Sequence, residues 1–307
     1  MPETFPEDIL INFTPQETRV AVMYEGVVQE LRVERAASHG LVGNIYLGRI
    51  ARILPGMQSA FVDVGLQRTA FLHAADIWEP RNAGEPARPI ERVLHEGQSI
   101  VVQVIKDPIG TKGARLSTQI SVAGRLLVHL PQEKHIGISQ RIDDESERGA
   151  LRERIARLVA SGGDPDSEPG GYIVRTMAEG STDEELANDI EYLRRLWYDI
   201  QAGAKKLTPP ALLYQELPLG LRTLRDFVNA NTTRIVIDSR ENFQKLSSFA
   251  REYTPAVLPL LQHYTGERPL FDLHGIDDEI ERALARRVEL KSGGYLIFDQ
   301  TEAMTTI

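Results

Sequence analysis

The sequence predicts an α+β protein that is divided into several small domains. Its first part contains short apolar and β-branched runs bounded by glycine and proline, which are typical of strands. Its second part adds helices with apolar side chains at three- and four-residue steps. A chain of 307 residues is long enough for roughly two or three separate hydrophobic cores, so we expect more than one domain.

Composition favours a reducing, aqueous compartment. The chain has no cysteine, which excludes disulfides and thiolate metal sites, and no apolar run approaches the length of a membrane span. The first residues, MPETFPEDILINF, lack the pattern of a signal peptide. We therefore expect a cytoplasmic protein with no membrane partner.

Charge is distributed unevenly along the chain. The net charge of −9 argues against nucleic-acid binding, but a local excess of charge matters more than the total. Residues 40–71 carry three arginines and one aspartate, and residues 102–128 carry four bases and one aspartate. Residues 1–39 carry seven acids and three bases. The sequence is therefore compatible with a basic patch on an acidic body.

Residues 9–35 are predicted to form strands, ILINF, RVAVMYE and VVQELRVER, with a turn at Glu25-Gly26. A sheet this small cannot bury a core alone, so we expect it to pair with a segment distant in sequence. Beyond a proline-marked boundary at 205–210, the strand RIVID alternates with helices near 221–228 and after the N-cap Ser239. The two segments together predict one small α/β unit. A further helix is predicted at 276–290, and strands at 293–298 and 302–307.

Residues 44–77 predict a hairpin that follows a longer strand. The longer strand runs from Asn44 to Leu54, and the hairpin turns at Gly65-Leu66-Gln67. Residues equidistant from the turn lie opposite each other, which pairs Phe61 with Phe71. Alternation then assigns an apolar set to one face, Val62, Val64, Ala70 and Leu72, and a mixed set to the other, Phe61, Asp63, Thr69 and Phe71.

The two phenylalanines on the mixed face have two interpretations. Paired rings on a polar sheet face form a platform on which unpaired bases stack, as in OB-fold single-strand binders. Alternatively, both rings pack beneath another domain, and the strand pattern alone does not choose between the two. The same module would resume after a predicted surface loop at 79–98, with the strands SIVVQVIKD and GARLSTQIS.

Residues 121–208 predict a second segment of mixed structure. It contains a strand at LLVHL, a charged helix from about Glu145 to Ala160, an unstructured joint at SGGDPDSEPGG and a strand GYIVRT. Ser181 or Thr182 then caps a long amphipathic helix that runs to about Gly203.

No catalytic or metal-binding cluster is evident in the sequence. The acids that could hold a divalent metal do not form a close pair on one strand face; they are Asp63, Asp76, Asp238, Asp299 and Glu302. The histidines lack helical metal-ligand spacing, and no GxSxG, Walker or Rossmann pattern occurs. We expect no catalytic residue and no metal ligand in the chain.

Several long segments resemble one family of bacterial enzymes. They are GNIYLGRIARILPGMQSAFVDVGLQRTAFLHAADI, VQVIKDPIGTKGARLSTQIS, GYIVRTMAEG and ERALARRVELKSGGYLIFDQTEAMTTI. In this order they are similar to the ribonuclease E/G family, whose members are single-strand-specific endoribonucleases. The first segment also resembles the OB-fold RNA-binding module first described in ribosomal protein S-one.

The resemblance implies an OB-fold barrel inserted in a ribonuclease H-like α/β domain. A 5′-sensor domain and the start of a deoxyribonuclease I-like domain would complete the chain. The expected boundaries are 1–38 and 209–278 for the ribonuclease H-like domain, 39–119 for the barrel, 120–208 for the sensor and 279–307 for the last domain.

The resemblance also implies two recognition sites. Phe61, Phe71 and Lys112 would form the RNA surface of the barrel, although a loop lysine taken alone is usually just solvated. Arg175 and Thr176, with a backbone contribution at Val128, would bind a 5′-monophosphate. An arginine fork and a hydroxyl suit a phosphate monoester, whereas on chemistry alone a surface arginine that ends a strand is the plainer interpretation.

In the family, the magnesium-binding aspartates follow the phrase that ends EAMTTI, where this sequence stops at Ile307. We therefore expect this chain to bind RNA without cleaving it and to hold no magnesium. The full enzyme would cleave single-stranded, often A/U-rich RNA in 5′-end maturation of ribosomal RNA and in messenger decay, as a homodimer. The alternative is a non-catalytic RNA-binding or regulatory protein.

Overall fold

The chain has an α+β fold in a computed structural model. The structure describes residues 6–38, 40–79, 88–161, 170–229, 231–290 and 292–307. The chain divides into two compact units. One unit is formed by residues 40–216, and the other by residues 1–39 together with residues 217–307. Within the described ranges, no helix is both long enough and apolar enough to cross a membrane.

The strands are numbered along the chain as β1 (Glu7–Phe13), β2 (Glu17–Tyr24), β3 (Val27–Arg35), β4 (Ile45–Leu54), β5 (Ser59–Asp63), β6 (Ala70–His73), β7 (Ser99–Lys106), β8 (Arg115–Ser117), β9 (Val122–Ala123), β10 (Leu127–Leu130), β11 (Ile136–Ile138), β12 (Gly171–Val174), β13 (Ala211–Tyr214), β14 (Thr232–Ile237), β15 (Leu261–His263), β16 (Arg287–Glu289), β17 (Tyr295–Ile297), β18 (Asp299–Gln300) and β19 (Thr305–Thr306). The helices are α1 (Glu145–Ser161), α2 (Asp183–Lys206), α3 (Leu219–Asp226), α4 (Arg240–Tyr253), α5 (Leu270–Leu273) and α6 (Ile276–Leu284).

A closed barrel of five strands forms the first part of the unit of residues 40–216. Strand β4 pairs with β5, β5 with β6, β6 with β8, β8 with β7, and β7 again with β4. The predicted inward-facing side chains are buried in the barrel core, as Val62, Val64, Ala70 and Leu72 all show. This closed strand order is consistent with an OB-fold. Strand β13 extends the sheet at β4.

The second half of the predicted surface loop at 79–98 is mostly exposed, but it contains two buried side chains that the prediction did not include. Residues 80–87 lie outside the described residues, but Ile90 and Leu94 are both buried in the barrel core. Ile90 opens a short 3-10 turn and Leu94 follows it, and burying these two apolar side chains outweighs the charge of their neighbours. The predicted joint near residues 162–169 also lies outside the described residues.

A four-stranded sheet and two helices form the second part of the same unit. The strand order is β11-β12-β10-β9, and helices α1 and α2 contribute Leu151, Ile155, Leu186, Ile190 and Leu193 to a core that also contains Tyr172. Thr182 caps α2 in a capping box with Glu185, which confirms the predicted start of this helix.

The other unit is built on a five-stranded sheet in the order β15-β14-β1-β2-β3. Strand β1 pairs in parallel with β14 from the far end of the chain, which confirms that the N-terminal strands need a distant partner. Both faces of β1 are buried: Ile9 and Ile11 pack with α3 and α4, and Leu10 packs with α5 and α6. The three consecutive apolar residues 9–11 thus bury both faces of β1, as expected for a central strand with helices packed on both sides of the sheet.

The helix predicted at 276–290 is wrong beyond Leu284. Helix α6 ends there, and β16 pairs with β17 instead. The guanidinium of Arg287 lies 3.9 Å from the centre of the Tyr295 ring, and Arg286 forms a 2.8 Å ion pair with Asp299. These cross-strand contacts favour the hairpin over a longer helix. The predicted final strands are present as β17 and β19, each with its own partner, β16 and β18.

Candidate nucleic-acid interface

The outer face of the barrel carries the predicted pair of aromatic rings. Phe61 on β5 lies directly opposite Phe71 on β6, as predicted, and both side chains are half-buried outside the barrel core. Their ring centres are 6.3 Å apart at an interplanar angle of 67°, which is an edge-to-face contact. The His73 ring, two residues along β6, lies 6.4 Å from Phe71.

An arginine lies at each end of this aromatic pair. Four residues on four neighbouring strands are joined by strand pairing in the order Arg52, Phe61, Phe71 and Arg115. Arg115 forms a 2.8 Å ion pair with Asp76, whereas Arg52 is exposed and its guanidinium contacts no acid in the described part of the chain. The row therefore combines flat apolar surface with positive charge.

The loop that carries Lys112 is fixed against the same strands. The Phe71 amide donates to the Ala114 carbonyl at 2.7 Å, and the Lys112 amide donates to the Ile109 carbonyl at 3.0 Å. Gly113 permits this close approach, because a Cβ atom there would lie 2.0 Å from the Thr69 carbonyl oxygen. Arg68 also donates to the Gly110 carbonyl. Lys112 is exposed, two residues before Ala114, whose carbonyl accepts from Phe71.

The second predicted site lies in the four-stranded sheet of the same unit. Arg175 follows β12, Thr176 opens a short 3-10 turn, and Val128 lies on the paired strand β10 opposite Ile173. The Arg175 amide donates to the Leu126 carbonyl at 2.9 Å, and its guanidinium donates to the Gly124 carbonyl at 2.6 Å. Strand pairing thus brings the three predicted residues into one region, and all three are half-buried.

A half-buried aspartate on α2 bonds to the turn next to this second site. The Asp189 carboxylate on α2 accepts hydrogen bonds from the amides of Arg125, Leu126 and Leu127 at 3.0, 3.0 and 2.8 Å. Burial raises the pKa of the Asp189 carboxyl, and the three amide donors and the charge of Arg175 oppose that rise. Burial likewise lowers the pKa of Arg125, against the attraction of Asp189 and Glu185.

The described carboxylates do not fit a magnesium site. In the described ranges, no three His, Asp or Glu side chains form a group that could hold a metal ion. Asp238 instead accepts from the Asn12 side-chain amide at 2.5 Å and from the Phe13 amide at 2.9 Å. Asp63 accepts from the Gly65 amide in its turn, so these acids stabilise local structure.

Sequence reasoning missed Asp189 and the arginine row. The signal for Asp189 was present, because it lies three residues after Leu186 and four before Leu193, on the buried face of α2. An acid on an apolar face is buried only with partners, so it indicates a specific polar contact. Arg52 and Arg115 join the row because of how β4 pairs with β5 and how β8 pairs with β6, and the sequence does not reveal these registers.

Taken together, the fold and these surfaces define an α+β protein with a closed OB-type barrel, whose outer face carries paired aromatic rings between two arginines, and with a second site around Arg175. The sequence model of the ribonuclease E/G family matches residues 121–307. The chain belongs to the ribonuclease E/G family, which confirms the resemblance predicted from sequence.

Several curated relatives match almost the whole chain. Ribonuclease G of Escherichia coli (strain K12) is 50% identical over 98% of this chain and 61% of its own length. Ribonuclease G of Haemophilus influenzae is 46% identical over the same shares of the two chains. Ribonuclease E of Nostoc sp. (strain PCC 7120) is 37% identical over 98% of this chain and 43% of its own length. The chain thus spans 61% of the length of the ribonuclease G relatives.

Proposed function

We propose that this chain is the RNA-recognising part of an endoribonuclease that acts on single-stranded RNA. The observation that carries the proposal is the Phe61–Phe71 pair on the outer face of the barrel, to which the loop that carries the exposed Lys112 is hydrogen-bonded through Ala114. Rings that meet edge to face are not stacked on each other, so each can receive a base of an unpaired strand. Lys112 and Arg52 supply charge for the phosphates on either side.

The second part of the proposal is that Arg175, Thr176 and the backbone of Val128 bind the 5′-monophosphate of the RNA. The guanidinium has five N–H donors, and the Gly124 carbonyl restrains it from one side. An oriented guanidinium and a neighbouring hydroxyl are suited to a phosphate monoester. In this proposal the barrel binds the strand, and the Arg175 site distinguishes its end.

The domain architecture belongs to the same proposal. The sheet order β3-β2-β1-β14-β15, with two antiparallel pairings followed by two parallel ones, supports a ribonuclease H-like domain into which the barrel is inserted. The sheet that contains β12, together with α1 and α2, would be the 5′-sensor, and the hairpins from β16 onwards would begin a deoxyribonuclease I-like domain.

Residues 1–307 are proposed to contribute recognition rather than hydrolysis. The candidate acids are engaged elsewhere: Asp76 with Arg115, Asp238 with Asn12, and Asp299 with Arg286. The same observation favours the alternative of a non-catalytic RNA-binding protein. Magnesium-dependent cleavage, a homodimer, a cytoplasmic location and the processing of ribosomal and messenger RNA are proposed for the full enzyme from the family resemblance alone.

The test is a binding and cleavage assay with a labelled A/U-rich oligomer, as single strand and as duplex, with and without magnesium. We expect the 307-residue chain to bind the single strand more tightly than the duplex and to leave it intact. A version extended with the remaining sequence of a ribonuclease G relative is the positive control for cleavage. Equal affinity for both forms would contradict the RNA-recognition proposal. Cleavage by the 307-residue chain at a comparable rate would show that acids such as Asp238 or Glu302 form a site.

A further inference from the structure

Asp189 is a charged side chain on the buried face of α2. Its helix neighbours Leu186, Ile190 and Leu193 are all in the hydrophobic core. A carboxylate in such surroundings is costly unless it is fully hydrogen-bonded. The three amides of Arg125, Leu126 and Leu127 supply those bonds, and they converge from one short turn.

The turn accommodates the carboxylate because residue 124 is glycine. A Cβ atom at Gly124 would lie 2.6 Å from both carboxylate oxygens of Asp189, closer than such atoms approach. The Gly124 carbonyl, in turn, accepts the 2.6 Å hydrogen bond from the Arg175 guanidinium. Strand β10 begins directly after the turn and carries Val128. The Asp189 carboxylate is thus connected to Arg175 and Val128 through the short backbone segment that donates hydrogen bonds to it.

We propose that Asp189 is a positioning residue for the 5′-phosphate site. It holds the 124–127 turn, the turn holds the guanidinium of Arg175, and Arg175 contacts the phosphate. This inference rests on the proposed function of Arg175, Thr176 and Val128. Asp189 also accepts from the amides of residues 125–127, which converge like an anion-binding nest, so an incoming phosphate is left to Arg175, Thr176 and the Val128 backbone.

The variants separate this role from general stability. Asp189→Asn keeps the shape of the side chain but removes its charge and turns an N–H donor toward the amides. Gly124→Ala disturbs the same contact from the opposite side while keeping Asp189. The matched control is Asp183→Asn, also on α2, because Asp183 holds Arg154 and Arg157 at 2.6 and 2.8 Å and contacts neither the turn nor Arg175.

The measured quantity is the ratio of affinities of the 307-residue chain for one oligomer with a 5′-monophosphate and with a 5′-hydroxyl. We expect Asp189→Asn to lower this ratio about tenfold, because a charged donor loses its fixed position. Affinity for the 5′-hydroxyl oligomer and the ratio of Asp183→Asn should stay unchanged. In an Arg175→Ala background, Asp189→Asn should have no further effect on the ratio, since it acts through that arginine.

An unchanged ratio in a folded Asp189→Asn or Gly124→Ala variant would overturn the inference, and so would an equal loss of affinity for both oligomers. Absence of any 5′-monophosphate preference in the unmutated chain would instead reject the proposed end-sensing function. In that case the NMR signal of the Arg175 side-chain Nε–H decides the positioning role. Faster exchange of this proton with water in Asp189→Asn supports positioning, and an unchanged exchange rate refutes it.

Discussion

Phe61 and Phe71 face each other across a single hairpin, whereas the Arg175 guanidinium is held by the carbonyl of Gly124, 51 residues away. The first surface is made by local alternation on two strands, and its side chains lie outside the core. The second is made by a turn, a strand end and a half-buried carboxylate on a helix. Substitutions of Phe61 or Phe71 should therefore leave the free energy of unfolding nearly unchanged. At the Arg175 site, by contrast, phosphate binding should depend on the packing of the turn and of Asp189, which holds it.

The largest expected effect is on the free energy of unfolding, and it distinguishes the two faces of β6. Leu72 lies next to Phe71 on β6 but is fully buried in the barrel core. Leu72→Ala should lower the free energy of unfolding by about 2–5 kcal/mol, because it leaves a cavity. RNA affinity of the folded protein should change little. Urea denaturation measures the free energy of unfolding, and RNA titration measures the affinity. If Phe71→Ala lowered the free energy of unfolding as much as Leu72→Ala, both side chains would belong to the core.

The Arg175 site is tested by Arg175→Ala. Loss of a charge-assisted hydrogen bond to phosphate should reduce the preference for a 5′-monophosphate by about 1.5–3 kcal/mol. Affinity for the 5′-hydroxyl oligomer should be retained. Arg157→Ala is the control, because Arg157 lies on α1 and pairs with Asp183. A similar loss of preference in both variants would mean that the effect is not specific to Arg175.

The aromatic row is tested by removing each ring. Phe61→Ala and Phe71→Ala should each weaken binding of single-stranded RNA by about 1–3 kcal/mol, as expected for a lost base stack. The matched control is Tyr198→Ala, since Tyr198 is a highly exposed aromatic side chain on α2 and not on a barrel strand. Unchanged RNA affinity in both phenylalanine variants, with lower thermal stability, would contradict the platform.

The smallest expected effect concerns the loop lysine. Lys112→Ala should reduce the slope of log affinity against log salt concentration by about 0.7, the value for one phosphate contact on a single strand. Lys206→Ala at the exposed end of α2 should leave the slope unchanged. Equal slopes for Lys112→Ala and the unmutated chain would remove Lys112 from the RNA surface.

The difference between the two regions also explains what the sequence could predict. The Phe61–Phe71 register and the inward set around Leu72 follow from strand alternation and one tight turn, which are local properties. The α2 start at Thr182 follows from its capping box. The parallel pairing of β1 with β14 was predicted only as a need for some distant partner, because register between remote strands depends on the whole fold.

The incorrect and missed predictions have the same cause, which is contact with residues outside the local segment. Residues 285–290 have helical character locally, yet pairing of β16 with β17 decides their structure. Ile90 and Leu94 lie in a charged segment, yet the barrel core buries them. The hydrogen bonds of Asp189 join residues that are 62 to 64 positions apart, and no local pattern contains such a contact.

The central claim is that the barrel binds the strand while the Arg175 site distinguishes its end. The most direct measurement is a double-mutant cycle with the unmutated chain, Phe71→Ala, Arg175→Ala and the double variant, each titrated with 5′-monophosphate and 5′-hydroxyl forms of one oligomer. We predict that Phe71→Ala weakens both forms equally, that Arg175→Ala weakens only the monophosphate form, and that the two effects add. Loss of the 5′-monophosphate preference in Phe71→Ala, or equal weakening of both forms in Arg175→Ala, would contradict the division of roles.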